Sequence, residues 1–410
     1  MISSNNKLRH LPFFEEIASR DEGTREWHSA TAGLVVLRLV DTWLENALPA
    51  GHDNDWSMRS VRCSIEAVNE GTPVRVLLDR VIDALQEQKP DIHVVISPLM
   101  AYAQALEYDA QWLLAADVYQ SVLAHLHPVE DGDASVAAQI RLGTCYRNLN
   151  QIDAALAAYS TASQIAAAAG DMVGVLRARI GEARVAILRG NLPHAEHLLA
   201  DTISHAQGPE FREVRAGALH ERSAVATLSG KYEFGIRLAY DALGLSESPT
   251  AKDRILSDIA GAFFYLGIWS AARDAYLVLS VTAQEQYMRW TSTLNLMEIA
   301  AHVGAQPQFD QHRRQLVGQH LPPQLATNFE LIQGLGYRQF GNPDAARLHL
   351  ERAVALAGEH GFDQLLTEAR EAMRQLETVA PTRHVEGQIP LDVEDVALAI
   401  RSLRESVKVS

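Results

Sequence analysis

The sequence predicts an all-α chain of about seven stacked helix hairpins, and three observations carry that prediction. Alanine supplies 59 of the 410 residues while aromatics reach only 7%, a balance that suits closely packed helices better than sheets. Gly190, Gly230, Gly267, Gly304 and Gly341 recur at spacings of 40, 37, 37 and 37, the kind of period that marks helical repeats. Small residues recur at two fixed offsets from these markers, where paired helices must approach closely.

Composition narrows the function classes. The chain carries 36 basic against 51 acidic residues, a formal net charge of −15, and 31 of the basic residues are arginine. At 47% hydrophobic and 21% charged it excludes global disorder. The acidic balance argues against nucleic acid as a partner. Two cysteines exclude a disulfide framework and a cysteine-rich zinc module. The opening MISSNNKLRHLPFF lacks a signal-peptide core, and no apolar run approaches the length of a membrane span. The expectation is a cytoplasmic chain with no membrane partner.

In chain order, residues 1–95 read as a helical bundle, with three helices over 24–88. Thr24 is placed to cap the first, which carries Trp27, Leu34, Leu37, Val40 and Trp43. A second runs from about Trp56, with Met58, Val61, Ile65 and Val68 on one stripe. Thr72-Pro73 opens the third. These last two have the outline of a helix-turn-helix, but the candidate recognition helix sets Arg75 and Arg80 against Asp79, Asp83 and Glu87, a net negative face that phosphates would repel. Ser97-Pro98 repeats the start signal and opens the repeat region, 97–360.

Stepping back from Gly190 by 40 twice lands on Asn150 and Ala110. Five residues after each marker stand Ala115, Ala155, Ala195, Gly235, Ala272, Phe309 and Ala346. Seven residues before stand Ala103, Gly143, Ala183, Ser223, Ala260, Met297 and Gly334. Unit six is the outlier, with large residues in both columns. The marker itself should close each first helix in a left-handed conformation. Leu142-Gly143-x-x-Tyr146 followed by Ala155, Tyr159 and Ala162 resembles the tetratricopeptide repeat signature, and Gly334, Tyr337, Ala346, Leu350 and Ala353 repeat it. The resemblance implies a right-handed α-solenoid of about seven such hairpins.

By that resemblance, the first helix of each unit lines a concave groove. Its inward positions fall on Gln104 and Tyr108 in unit one, Arg141, Thr144, Arg147 and Asn148 in unit two, Arg177 and Arg184 in unit three, and His220 and Glu221 in unit four. Units five to seven contribute Arg254, Asp258 and Tyr265, Asn295 with Glu298 and His302, and Asn328 with Arg338 and Gln339. Guanidinium groups suit carboxylates bidentately, and Asn amides pair with a peptide backbone. The expected partner is therefore a protein or peptide that is acidic or presents a carboxylate. The opposing reading makes these arginines solvated helix faces paired to neighbouring acids.

No phosphate loop, dinucleotide fingerprint, HExxH or nucleophile elbow is present. His194 and His197 lack a carboxylate or thiolate companion at metal-ligand spacing, and Cys145 sits beside Tyr146 as a buried thiol. Neither a catalytic site, a metal nor a cofactor is expected. Two functions compete. One is a non-enzymatic scaffold holding a partner peptide in the groove. The other is a ligand-responsive regulator, because a short helical bundle followed by about seven repeats is similar in outline to the Rap-type peptide-sensing regulators; there the repeats sense the ligand and the bundle meets a target.

Beyond the repeats, 361–378 reads as a capping helix, 379–391 as a linker, and 392–410 as an amphipathic helix. Val393, Val396, Ile400, Leu403 and Val407 form a narrow apolar seam that needs a helical partner. Capping the last repeats, entering the chain's own groove, and pairing in a homodimer are the three options.

Overall fold

A computed structural model of the chain describes residues 9–45, 52–85, 91–128, 130–376 and 386–407. Among the described residues every regular element is a helix. The chain divides into two compact units, Met1–Leu198 and Leu199–Ser410.

The first unit opens with α1 (Leu11–Ser19), α2 (Arg25–Leu44), α3 (His52–Glu66) and α4 (Pro73–Ala84). Hairpins α5 (Ile92–Tyr108) with α6 (Trp112–His125) and α7 (Gly132–Asn148) with α8 (Ile152–Ala169) follow, then α9 (Met172–Leu188). The division falls inside α10 (Leu192–His205). The Thr24 hydroxyl accepts from the Trp27 N–H at 3.3 Å, capping α2. Two expectations need correction. The sequence reading missed α1, which begins not at a capping side chain but at His10, φ 59°. Ser97-Pro98 does not open the first repeat: α5 starts at Ile92, where Asp91 accepts from the His93 N–H at 2.9 Å, and Pro98 lies inside the helix. The boundary placed at 95–97 therefore falls within α5. Residues 86–88 of the expected third helix lie outside the described residues. One apolar core runs from Phe13 through Trp43, Leu78, Leu99 and Tyr119 to Cys145, so bundle and first two repeats share it.

The second unit contains α11 (Arg212–Leu228), α12 (Tyr232–Leu245), α13 (Pro249–Tyr265) and α14 (Trp269–Thr282). It continues with α15 (Gln286–His302), α16 (Gln306–Leu316), α17 (Pro323–Gln339), α18 (Pro343–His360), α19 (Asp363–Gln375) and α20 (Glu394–Val407).

All seven first helices have 17 residues. Each ends at a marker with positive φ: 72–74° at the five glycines and 57° at Ala110 and Asn150. The next N–H reaches back across the turn to a helix carbonyl, as from Asn191 to Ala186 at 2.8 Å and from Ile268 to Phe263 at 2.9 Å. This is the Schellman closure, which satisfies carbonyls the helix end would leave orphaned. The small columns are buried as expected. A Cβ on Gly143 would stand 2.7 Å from the Tyr159 ring, and one on Gly334 would stand 2.5 Å from Leu350. In the sixth hairpin Phe309 replaces a small residue, and its ring lies over Gly336 of α17, where a Cβ would come within 2.4 Å. Here α15 packs directly on α17, and α16 stops after 11 residues.

After the last hairpin α19 packs on α17 and α18. The apolar seam goes elsewhere. Val393, Val396 and Ile400 bury against α12 and α14, in one core with Ile236, Ala275 and Leu279. These are second helices, so the arm neither caps the final repeat nor enters the inner face. Leu403, at the far end of the seam, stays exposed. A homodimer through this seam would first have to open the intrachain contact. Polar contacts fasten the arm: the Ser270 N–H donates to Glu386 at 2.6 Å, Gly387 N–H to the Gly267 carbonyl at 3.1 Å, and Arg237 pairs with Asp395 at 2.7 Å. Of the expected linker, residues 379–385 lie outside the described residues, as does the end of the last helix, 408–410.

Candidate functional site

The 17-residue first helices set the same offsets side by side, so polar side chains on neighbouring helices meet. In the second unit this produces a strip across α11, α13, α15 and α17. His220 Nε2 lies 2.6 Å from Asp258 Oδ2, joining α11 to α13. At the end of α13 the Tyr265 ring, 66% exposed, stacks on Tyr232 at 5.8 Å. Phe264 meets His302 of α15 edge-on at 5.2 Å, and Trp269 stacks on the same imidazole at 6.1 Å. Asn295 hydrogen-bonds the buried Tyr276 phenol, whose proton burial holds more tightly than usual.

The strip ends in a cavity of about 170 Å³ between α15 and α17, with Glu298, His302, Arg338 and Gln339 over Ile332 and Leu335. Arg338 Nη1 donates to Gln375 Oε1 at 3.2 Å, which orients the guanidinium from α19. Glu298 is half-buried, 3.9 Å from His302 Nε2. Burial, helped by the Glu368 carboxylate, pushes its carboxyl up to about 6. The cavity thus offers a fixed cation beside a carboxyl that ionises near neutrality, an arrangement suited to reading a carboxylate and adjacent amides.

The remaining residues from the sequence reading are placed as follows. Arg254 pairs with Glu285 at 3.2 Å, and Asn328 is half-buried on α17. In the first unit Arg141 reaches Glu107 at 3.4 Å, and that carboxylate also accepts the Tyr119 hydroxyl. Asn148 donates to its own helix at Thr144 O, 3.1 Å away. Arg147 Nε is buried without a hydrogen-bond partner, Arg177 is exposed, and Arg184 is half-buried and engaged. An arginine cluster is therefore not what the strip presents. Arg141 and Arg254 carry their own acids, and the convergent set is Glu298, His302, Arg338 and Gln339. Tyr232, Phe264 and Trp269 were not legible as site residues, because they stand at helix ends beside the turns rather than at the inward offsets. Cys145 is buried, and burial pushes its thiol up to about 12, the inert state expected. Among the described residues no group of three or more His, Cys, Asp or Glu is placed to hold a metal, and no helix is long and apolar enough to cross a membrane.

No family model and no curated protein matches the sequence. Solved structures do resemble the fold. A Rap protein complexed with competence and sporulation factor shares 13% identity over 83% of this chain and 99% of its own, with a TM-score of 0.49. The Rap conjugation gene regulator of the plasmid pLS20, in complex with the Phr* peptide, shares 12% over 85% and 96%, at 0.48. The quorum sensor NprR from B. thuringiensis, in its apo form, shares 11% over 88% and 90%, at 0.45. At such identities, and with TM-scores below 0.5, these are likenesses of outline alone.

Proposed function

We propose that the chain is a non-enzymatic repeat protein that binds a peptide or protein segment on the inner face of repeats four to seven, reading a carboxylate at Arg338. The observation that carries this is the cavity between α15 and α17, where Arg338, Gln339, Glu298 and His302 converge, with the exposed Tyr265 stacked on the half-buried Tyr232 at the end of α13. Charged and amide groups fix a peptide terminus and backbone, while the stacked rings offer an apolar platform. Peptides are the ligands of two structural neighbours, but for this chain the reading rests on its own side chains. The same site serves the regulator form of the proposal.

The test is selection from a degenerate peptide library prepared twice, with free and with amidated C-termini. The intact chain should retain peptides from the free-carboxylate library, and Arg338→Ala should weaken the best of them about tenfold or more, the loss of one charge-assisted contact. Equal retention of amidated peptides, or indifference to Arg338→Ala, would contradict the assignment.

A further inference from the structure

Repeat six departs from the others through Met297 and Phe309, and the inner face uses neither. Between its second helix, α16, and α14 lies a separate cavity of about 460 Å³, within the ~300–1,000 Å³ of small-molecule sites. Its floor is apolar, with Leu277, Leu296 and Ile299, and Val303 stands at its edge. Its charged and imidazole groups are Arg273 on α14, His312 on α16, Arg404 on the docked arm α20 and Glu386 before it, with Ser270, Gln308 and Gln311 completing the polar lining.

The guanidiniums beside the cavity are not all equally engaged by the acids around them. Asp274, only 2% exposed, receives Arg404 at 3.0 Å and both Arg273 and Arg401 at 3.8 Å. Arg404 also reaches Glu405 at 3.7 Å, whereas Arg273, held among the described residues only by Asp274 at 3.8 Å, keeps guanidinium donors open at the cavity. The acid in the lining, Glu386, already accepts the Ser270 N–H at the start of α14, completing a helix end that its N-cap residue, Ile268, cannot cap by side chain. His312 Nδ1 is buried and has no hydrogen-bond partner. A buried ring nitrogen without a partner and a guanidinium with open donors, both beside an apolar floor, point to a missing polar ligand group.

We propose that this cavity binds a small amphipathic carboxylate, its chain on the Leu277, Leu296 and Ile299 floor and its oxygens on Arg273 and Arg404. His312 would donate from Nδ1 to the same group. Because Arg404 belongs to α20, the ligand bridges the arm to α14 and holds it docked. This site takes a different chemical class of ligand from the peptide-binding face, with which it shares Trp269.

Calorimetric titration of the intact chain with decanoate, below its aggregation concentration, tests the proposal. Saturable one-to-one binding is expected, with decanol bound about tenfold more weakly for want of the charge-assisted contact. Arg273→Ala, a change at a half-exposed side chain, should weaken decanoate by a similar factor at unchanged helix content. Val303→Trp, which fills the cavity from its exposed edge, should abolish binding. Arg338→Ala should leave it unchanged, which separates failure here from failure of the inner face. Absent saturation, equal affinity for decanol, insensitivity to Arg273→Ala or Val303→Trp, or sensitivity to Arg338→Ala would each overturn the assignment.

Discussion

Single residues hold the joints of this molecule. His10, 5% exposed, sits with Nδ1 at 2.6 Å from Asp117 and Nε2 at 3.2 Å from Asp41, so both ring nitrogens donate and the imidazole is charged. Burial opposes that charge, but the hydrogen bonds and charges of the two aspartates outweigh it and hold the pKa up at about 9. A raised folded-state pKa contributes stability that is fully present below the ordinary 6.5 and is lost as pH rises through 9. Melting temperature should therefore fall between those pH values, with up to about 3 kcal/mol at stake, and His10→Gln should lie lower and flatten that slope. A slope unchanged in the variant would refute the charged latch. Ala110 is the second joint, a non-glycine residue at φ 57°. Ala110→Gly should stabilise by about 1 kcal/mol in urea titration, because only the alanine strains there. Six of the seven markers were legible in the sequence because glycine and asparagine advertise left-handed turns, and Ala110 followed only from the period. His10 was not, since its partners lie 31 and 107 residues away.

Elements follow local rules until they need a distant partner. The period of 37–40 resolves into 17-residue first helices, tight turns, and second helices whose lengths vary. The small columns foretold which faces meet, and Phe309 foretold the irregular sixth hairpin, where α15 packs on α17 and brings Glu298 to Arg338. That meeting could not be read from offsets alone, because it depends on how Phe309 fits over Gly336. Pro98 misled because a proline that often starts a helix is here carried inside one. The seam of α20 announced a buried face but not its partner. Its three buried β-branched residues contribute at most ~1.5–3 kcal/mol each, less the cost of ordering the arm. Truncation before Glu386 should lower stability by roughly 2–4 kcal/mol with molar mass by light scattering unchanged. An unaltered melting temperature would show that the arm does not dock, and a halved mass that it joins two subunits.

For the whole molecule, fold class was legible because repetition multiplies a weak local signal seven times, while function was legible only as a surface. Arg338, Asn295 and Tyr265 stood among the expected inward residues, yet so did Arg141 and Arg254, which the structure shows paired to acids of their own. Counting arginines could not separate the two kinds, since each pairing depends on a neighbouring helix. The central claim is that the inner face of repeats four to seven holds a peptide. Hydrogen–deuterium exchange on the intact chain, with and without the strongest free-carboxylate peptide from the library, tests it most directly. Slowed exchange in α15 and α17, around Glu298 and Arg338, is the predicted result; protection confined to α2–α4 or to the second helices would contradict it.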